Sequence, residues 1–537
     1  MESIAQHTIS LALSPLFVTL VVFVAFLSYT SSIVIYRYFF HPLARFPGPR
    51  IAALTYAYEA YYDVVKTGQY SNCIMDMHCK YGPIVRINPD ELHINDPSFI
   101  DTVYAGGSKK RDKFPYFALS LGTAGSVFGT ITHEHHRLRR SAISPYFSRA
   151  AVSRLEPLIR SCASKLCDQF LSPANAGTGR PIELGAAYSA LTTDVVTEYA
   201  FARSFNFLDD AHFQRTLRPA LLAGFTASFL GRQLPWLPHF TEALPLWLQK
   251  KINPGGSTYL EFAASVRQQV KEIQDTMKDK RGEAGYEKRD GLSATIFHEL
   301  MDSPILPEKE KELRRLAEEG QIIVGAGTET TAWTLAVVTF YLLDKPDIAS
   351  KLREHLQRVL VGGEIPSWSA LEQVSYLSAT VQEGLRLMQG TVSRLQRIAR
   401  EPLVFRNQCA WGNAVTEQKE WVIPAGTPVG MTSVQIHHNP DIFPDPLEFV
   451  PERWLDENGH RRKDLDQYMF SFSKGSRQCL GMQLAYAELH IMIAFLVMKV
   501  LDRMKLFETT VKDVRYHHET LVMRPYPESK GVQVLVQ

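Results

Sequence analysis

The sequence predicts a mainly α-helical fold with small β-sheets, an α+β arrangement headed by a membrane-spanning helix. Three observations lead there. An uncharged apolar run opens the chain. Pro83 to Asp96 (PIVRINPDELHIND) alternates apolar and polar residues on both sides of Asn88-Pro-Asp-Glu91, a hairpin signature. Beyond it helical periodicity dominates, until strand character returns at Trp421 to Met431 and Tyr516 to Val536. The polar region from Lys278 to Lys311 reads mostly as loops between helices, and no internal repeat is visible.

In chain order the first element is the anchor. No Lys, Arg, Asp or Glu occurs from Ser3 to Tyr36, and Leu11 to Ile35 exceeds the ~20 residues that span a bilayer. A cleaved signal peptide would have a basic start, a shorter apolar stretch and a clear small-residue cleavage site, and this segment has none of them. Arg37, Arg45 and Arg50 follow the span and no Lys or Arg precedes it. The positive-inside rule therefore puts the bulk of the chain in the cytoplasm, single-pass in membrane lipid, with the endoplasmic reticulum as the expected membrane. Residues 1–36 are expected to form the anchor and 37–50, with Pro42, Pro47 and Pro49, a stiff proline-rich hinge.

Residues 51–537 are expected to form one catalytic domain. Length alone suggests several, but the chemically suggestive motifs, scattered from about His136 to Cys479, make sense only if they converge on one site. A chain of 537 residues that is 45% apolar can bury a large core. A net charge of +2 with no long basic run gives nucleic acid binding no support. The cysteines, Cys73, Cys79, Cys162, Cys167, Cys409 and Cys479, form no C-x-x-C pair and are too sparse for a disulfide scaffold, so a reduced compartment is expected.

A long helix is expected from about Pro307 to Leu343, charged at its start (EKEKELRRLAEE) and nearly uncharged afterwards. As a second membrane span it would set Glu329 near the bilayer centre at about 2.5–3.5 kcal/mol, so a helix buried in protein is the better reading. Within it, Ala326-Gly327-Thr328-Glu329-Thr330-Thr331 offers small residues where a planar cofactor could approach the backbone, although close helix packing also uses such residues. Ala326 and Thr330 share a face, and the Thr330 hydroxyl can bond back to a carbonyl one turn earlier and open the helix locally. Glu383-Gly-Leu-Arg386 pairs opposite charges at i and i+3, a spacing that by itself is common on exposed faces.

The most telling stretch is Phe472 to Gly481, FSKGSRQCLG. A lone cysteine lies between two glycines, after an arginine, where a helical pattern begins. Glycines allow a tight turn around the sulfur, amides at the helix start stabilise a thiolate, and Arg477 can pair with a carboxylate. This suits a thiolate ligand on a haem iron, which pushes electron density onto the metal and favours O–O cleavage. A buried structural cysteine is the plainer alternative for an isolated residue.

In this form, F-x-x-G-x-R-x-C-x-G resembles the haem-binding loop of the cytochrome P-450 family, and the motifs follow in that family's order from His136 to Cys479. The resemblance implies the fold of that family and haem b (iron protoporphyrin IX) with Cys479 as axial iron ligand, framed by Phe472, Gly475 and Gly481. It places Ala326 and Gly327 beside the cofactor and makes Thr330 and Glu329 the pair that delivers protons to the oxygen being reduced. Arg477, Arg397 of Arg394-Leu-Gln-Arg397, Arg140 and His136 would meet the propionates. His136 stands where many relatives have Trp, though an imidazole can still donate a hydrogen bond. Glu383 and Arg386 would interlock with Arg453 of Pro451-Glu-Arg-Trp454 to hold the pocket together. HRLRRSAISPYFS, RLQRIAR and WVIPAGTPVGMTSVQIHHNPDIFPDPLEF look like fungal secondary-metabolism members related to trichodiene oxygenase.

The expected function is an NADPH-supported mono-oxygenase inserting one atom of O2 into an apolar small molecule, a terpenoid, polyketide or alkaloid. No dinucleotide fingerprint occurs in a credible strand-to-helix context, so electrons would come from a separate membrane-bound NADPH–cytochrome reductase, docked on a basic face around Arg137, Arg139 and Lys474. The pocket is expected from Phe117 to Phe128, Ala220 to Leu234, Val324 to Thr331 and Gly390 to Arg394, with Arg232, Glu329 and Arg394 as its charges. A haem-thiolate isomerase or dehydratase, a haem sensor or carrier, and a cofactor-free membrane scaffold are the alternatives.

Overall fold

The computed structural model describes residues 15–252, 254–281, 295–407 and 420–537. Helix α1 (Pro15–Ile35) is apolar all round and runs into a π-helical turn, Tyr36–Phe40. Together Phe17–Phe40 form a 24-residue stretch, none of it buried, whose most apolar 18 residues have a mean hydropathy of 2.2, long and apolar enough to cross a bilayer. The proline-rich segment after it is packed on the body. Leu43 and Phe46 are buried, Arg86 N–H donates to Pro47 O at 2.7 Å, and Phe46 stacks on Trp421.

The expected hairpin is formed by β1 (Ile84–Arg86) and β2 (Leu92–Ile94), with Ile84 opposite Ile94. Asn88 Oδ1 takes the N–H of Asp90 across the turn, which is the local chemistry that favours Asn there. Three more short strands, β3 (Arg111–Lys113), β4 (Arg397–Ala399) and β5 (Pro428–Gly430), extend it to a five-stranded sheet in the order β1-β2-β5-β4-β3. The β3–β4 register sets Lys113 opposite Arg397. The strand character expected from Trp421 to Met431 is carried by two strands, with Gly426 turning at φ +81° between them. Glu420–Ile423 pairs instead with Leu403–Arg406 in a separate hairpin. The C-terminal strand region supplies His518–Thr520, Val522–Arg524 and Gln533–Val536.

Six helices position the site: α2 (His133–Ile143), α3 (Leu184–Phe201), α4 (Arg218–Gln233), α5 (Leu313–Asp344), α6 (Ser375–Met388) and α7 (Met482–Lys499). The long helix α5 is interior, and Thr331 to Leu342 are buried without a break. It starts six residues later than the charged pattern suggests. Glu308–Lys311 form a separate 3-10 turn and Glu312 is extended, because Glu310 is drawn to Arg139 at 2.7 Å and Arg315 at 3.3 Å. Helix α3 packs along α5. Thr192 donates to Thr328 O at 2.9 Å, and a Cβ at Gly327 would come within 3.0 Å of Val196. Among the described residues the five cysteines are free, and Cys409 lies outside them. Residues 282–294, within the region read as loops, also lie outside them, beyond a helix that reaches Arg281.

Candidate functional site

A cavity opens between α5, the end of α6, the loop 471–481 and the start of α7. Cys479 presents its side chain to it. The loop is folded tightly: Ser473 and Gly475 have φ of +54° and +69°, and a Cβ at Gly475 would lie 2.0 Å from Tyr104 O. At 481 the same test meets nothing within 4 Å, so there the chain itself does not demand glycine. Cys479 N–H donates to Phe472 O at 2.9 Å. Burial pushes the Cys479 thiol up, while the Gly481 N–H and the Arg140 guanidinium favour the thiolate.

One edge of the cavity is cationic. Arg397 and Arg477 are buried there, and so is Lys113, which the sequence reading missed. Arg477 donates to Thr130 O at 2.6 Å and Ile131 O at 2.8 Å, and its Nε has no partner; Arg397 donates to Leu395 O and Gln396 O. Burial pushes Arg397 down to about 10 and Arg477 to about 9, and holds Lys113 well below the ordinary lysine range. Burial and the charges of Arg477 and Lys113 push His136 down to about 2, so its ring is a neutral donor. Arg140 donates to Gln478 O at 2.7 Å, which ties α2 to the residue before the cysteine. Among the described residues neither Lys113 nor these three arginines forms an ion pair with a carboxylate. Buried cations are costly without a counter-charge, so this edge is built for an anionic group.

Across the cavity, α5 contributes Ala326, Gly327 and Thr330. Thr330 Oγ1 donates to Ala326 O at 2.8 Å, the back-bond its spacing allows, yet α5 stays continuously α-helical there instead of opening. Glu329 is turned away. It is buried against α4, where Arg218 Nη1 binds its Oε1 at 2.5 Å, and it does not line the cavity. Burial raises its pKa, opposed by Arg218. Nor do Arg232 and Arg394 line the cavity. Both are bound in a separate buried cluster with Asp63 and Glu59, so the expected pocket charges are replaced by Glu319 on α5 and Glu488 on α7. Burial raises Glu488 well above the carboxylate range, with the Thr331 hydroxyl as its partner. No short motif marks either glutamate, and only the helix packing reveals them.

The loop is held from behind. Glu383 accepts from Arg386 Nη2 at 2.7 Å, Arg453 Nε at 3.0 Å, Trp454 Nε1 at 2.9 Å and Val450 N–H at 3.0 Å. Arg386 adds the carbonyls of His437, Pro446 and Glu448. His437 accepts the N–H of Phe470 and Ser471 donates to Leu385 O, which carries the lock to the cysteine loop. Of the expected docking residues, Arg137 is exposed and Lys474 half-buried, but Arg139 is buried and spent on Glu310.

This donor set fits a haem. A single sulfur is aimed into the cavity for the iron, and cations without acidic partners stand at one edge for the propionates. The sequence model of the family described as Cytochrome P450 matches residues 60–528. A cytochrome P450 monooxygenase of Cochliobolus heterostrophus, tpcC, is 40% identical over 95% of this chain and 95% of its own. The N-acetyltryptophan 6-hydroxylase ivoC of Emericella nidulans is 38% identical over 95% of this chain and 96% of its own, and the tryptophan 6-hydroxylase fscE of Fusarium equiseti is 38% identical over 96% of both. Match and geometry agree, and the chain belongs to the cytochrome P450 family of haem-thiolate monooxygenases, enzymes that use O2 and a redox-partner reductase on small-molecule substrates.

Proposed function

We propose that this enzyme inserts one oxygen atom of O2 into an apolar small molecule, a terpenoid, polyketide or alkaloid, as a tailoring step of secondary metabolism. The observation that carries the reading is Cys479 opening, beside an edge of unpaired buried cations, onto the same cavity as Thr330. Haem b bound there would activate O2. Cys479 ligates its iron; Arg397, Arg477, Lys113 and His136 hold its propionates, and Arg140 steadies the ligand loop. Glu383, Arg386 and Arg453 keep that loop in place. Thr330 donates its own hydroxyl proton to Ala326 O and turns the oxygen's lone pairs to the cavity, where they can accept and pass on a proton. Glu329 acts from behind α5 and must leave Arg218 to exchange a proton with the cavity. Val127, Phe128, Ile322 and Ile323 give the cavity apolar walls that exclude water and suit an apolar substrate.

Residues 1–36 anchor the enzyme in the endoplasmic reticulum, 37–50 connect it to the catalytic body, and the body lies in the cytoplasm. Electrons come from a membrane-bound NADPH–cytochrome reductase near Arg137 and Lys474. Exposed Trp236, Phe240 and Trp247 add lipid contact. The test is reconstitution of the full chain with such a reductase in vesicles, under 18O2, after a metabolite panel has been screened by ligand-induced spectral shifts. The expected result is a thiolate-type carbon-monoxide spectrum and one labelled atom in the product. Conversion of the ligand without NADPH or label would establish the isomerase or dehydratase reading instead.

A further inference from the structure

The cavity wall made by Val127 and Phe128 belongs to a loop, Thr123–Thr130, whose backbone is gripped from outside itself at five of its eight residues. Its N–H groups meet carboxylates of α5. Gly125 N–H donates to Glu318 Oε2 at 2.6 Å, and Val127 N–H is shared by Glu319 Oε1 and Oε2 at 3.2 and 3.1 Å. Its carbonyls meet cations. Arg139 takes Ala124 O, Lys113 takes Phe128 O while lying over the Phe128 ring, and Arg477 takes Thr130 O. Inside the loop, Ser126 N–H and Oγ both donate to Thr123 O, and Ser126 Oγ accepts the Gly129 N–H. The fit leaves no slack. A Cβ on Gly129 would fall 2.1 Å from Thr123 O, and one on Gly125 would fall 2.9 Å from Glu318 Oε2.

The two carboxylates are themselves fixed. Arg315 Nη2 binds Glu319 Oε2 at 2.7 Å, and Arg314 Nε binds Glu318 Oε1 at 3.1 Å. The Glu319 side chain is buried and that of Glu318 is 13% exposed. Ionised acceptors on backbone amides are among the stronger hydrogen bonds; a glutamine in either place removes the charge, and at 318 it leaves one acceptor oxygen where two now serve Gly125 N–H and Arg314 separately.

We infer that Glu318 and Glu319 are specificity-determining positioning residues, which hold Val127 and Phe128 as a rigid wall and thereby set which part of a substrate faces the reaction centre. This deepens the mono-oxygenase reading and rests on it. A wall fixed before binding selects orientation without paying to order itself, whereas a loose loop would accept several orientations.

The test uses the full-length protein and its Glu318→Gln/Glu319→Gln double variant. Hydrogen exchange of the peptide covering 120–131 reads the clamp directly. Spectral titration with imidazole, which reaches only the iron, and with 4-phenylimidazole, which also touches the wall, reads its effect on ligands. The expected result is exchange in that peptide faster by about tenfold, as for loss of charge-assisted hydrogen bonds. Binding of 4-phenylimidazole should weaken about fivefold against unchanged imidazole, a small fraction of the apolar contact. Arg358→Ala, which removes an exposed partner of exposed Glu354 outside the clamp, should change neither. Unchanged exchange in the double variant overturns the clamp, and faster exchange with an unchanged ratio of the two affinities overturns its role in specificity. If the double variant holds no haem, Glu318→Gln alone is read by the same criteria. A native protein without a thiolate spectrum would sink the mono-oxygenase reading, while the exchange comparison would still decide the clamp.

Discussion

At the scale of single residues, the sharpest expectation concerns Thr330. Its hydroxyl donates to Ala326 O at 2.8 Å and leaves its lone pairs on the cavity side, so it can accept and pass a proton without disturbing α5. Thr330→Ala should leave the haem spectrum and ligand affinity nearly intact, while NADPH consumption drains into hydrogen peroxide and product per NADPH falls. A packing role would instead cost about 0.5–1.5 kcal/mol of stability with unchanged coupling, and measuring NADPH, peroxide and product together separates the two. Cys479→Ala should abolish the thiolate-type spectrum, since among the described cysteines none of Cys73, Cys79, Cys162 and Cys167 lines the cavity. A normal thiolate spectrum in that variant would move the iron ligand elsewhere.

Residues were legible in the sequence where the chemistry is local. Cys479, its glycine at 475 and Arg477 lie within five positions, and the loop geometry at Ser473 and Gly475 follows from that short stretch. Lys113 was not legible, because nothing near it in the chain marks it, and only the β3–β4 register sets it opposite Arg397. The orientation of Glu329 was not legible either, since its partner Arg218 is 111 positions away.

At the scale of elements, the lock joining α6 to the loop before α7 decides whether the site exists at all. Glu383 and Arg386 are wholly buried, and five N–H donors from four residues converge on one carboxylate. Glu383→Gln would leave two guanidinium groups without their counter-charge, and breaking such a buried pair costs about 3–5 kcal/mol. The variant should accumulate as protein lacking the thiolate spectrum, with a clearly lowered melting temperature. Lys351→Ala, which removes a half-exposed lysine from Glu452, should cost only about 0–1 kcal/mol and load normally. Equal behaviour of the two variants would show that the lock does not carry the loop. Element ends were the least legible feature. The start of α5 is set by Glu310 reaching Arg139 and Arg315, a tertiary tie that overrides a charged run of good helix formers.

At the scale of the whole molecule, anchor and chemistry should come apart. Helix α1 stands clear of the body, with no buried residue in Phe17–Phe40, whereas the segment just beyond it is knitted in. Arg37 Nη1 donates to Leu54 O at 2.7 Å, Arg86 Nη1 donates to Arg37 O at 3.1 Å, and Leu43 and Phe46 are buried. A cut after Tyr36 therefore removes the span and spares these contacts, while a cut at residue 50 would strip two core side chains. Removal of residues 1–36 should leave haem loading unchanged and membrane binding reduced but not lost. Trp236, Phe240 and Trp247 remain exposed on the body at 58, 54 and 68%, and each such side chain contributes about 1.5–3 kcal/mol when it passes fully from water into an apolar phase. Vesicle flotation at low and high salt checks this, because apolar contact survives salt and attraction to anionic lipid does not. Replacing Trp236, Phe240 and Trp247 together by Ser in the truncated chain should then release it into the soluble fraction with its thiolate spectrum preserved. Release by the truncation alone would remove the aromatic surface from the account, and a truncated protein that never loads haem, even with a solubilising partner, would show that anchor and catalytic body are one unit.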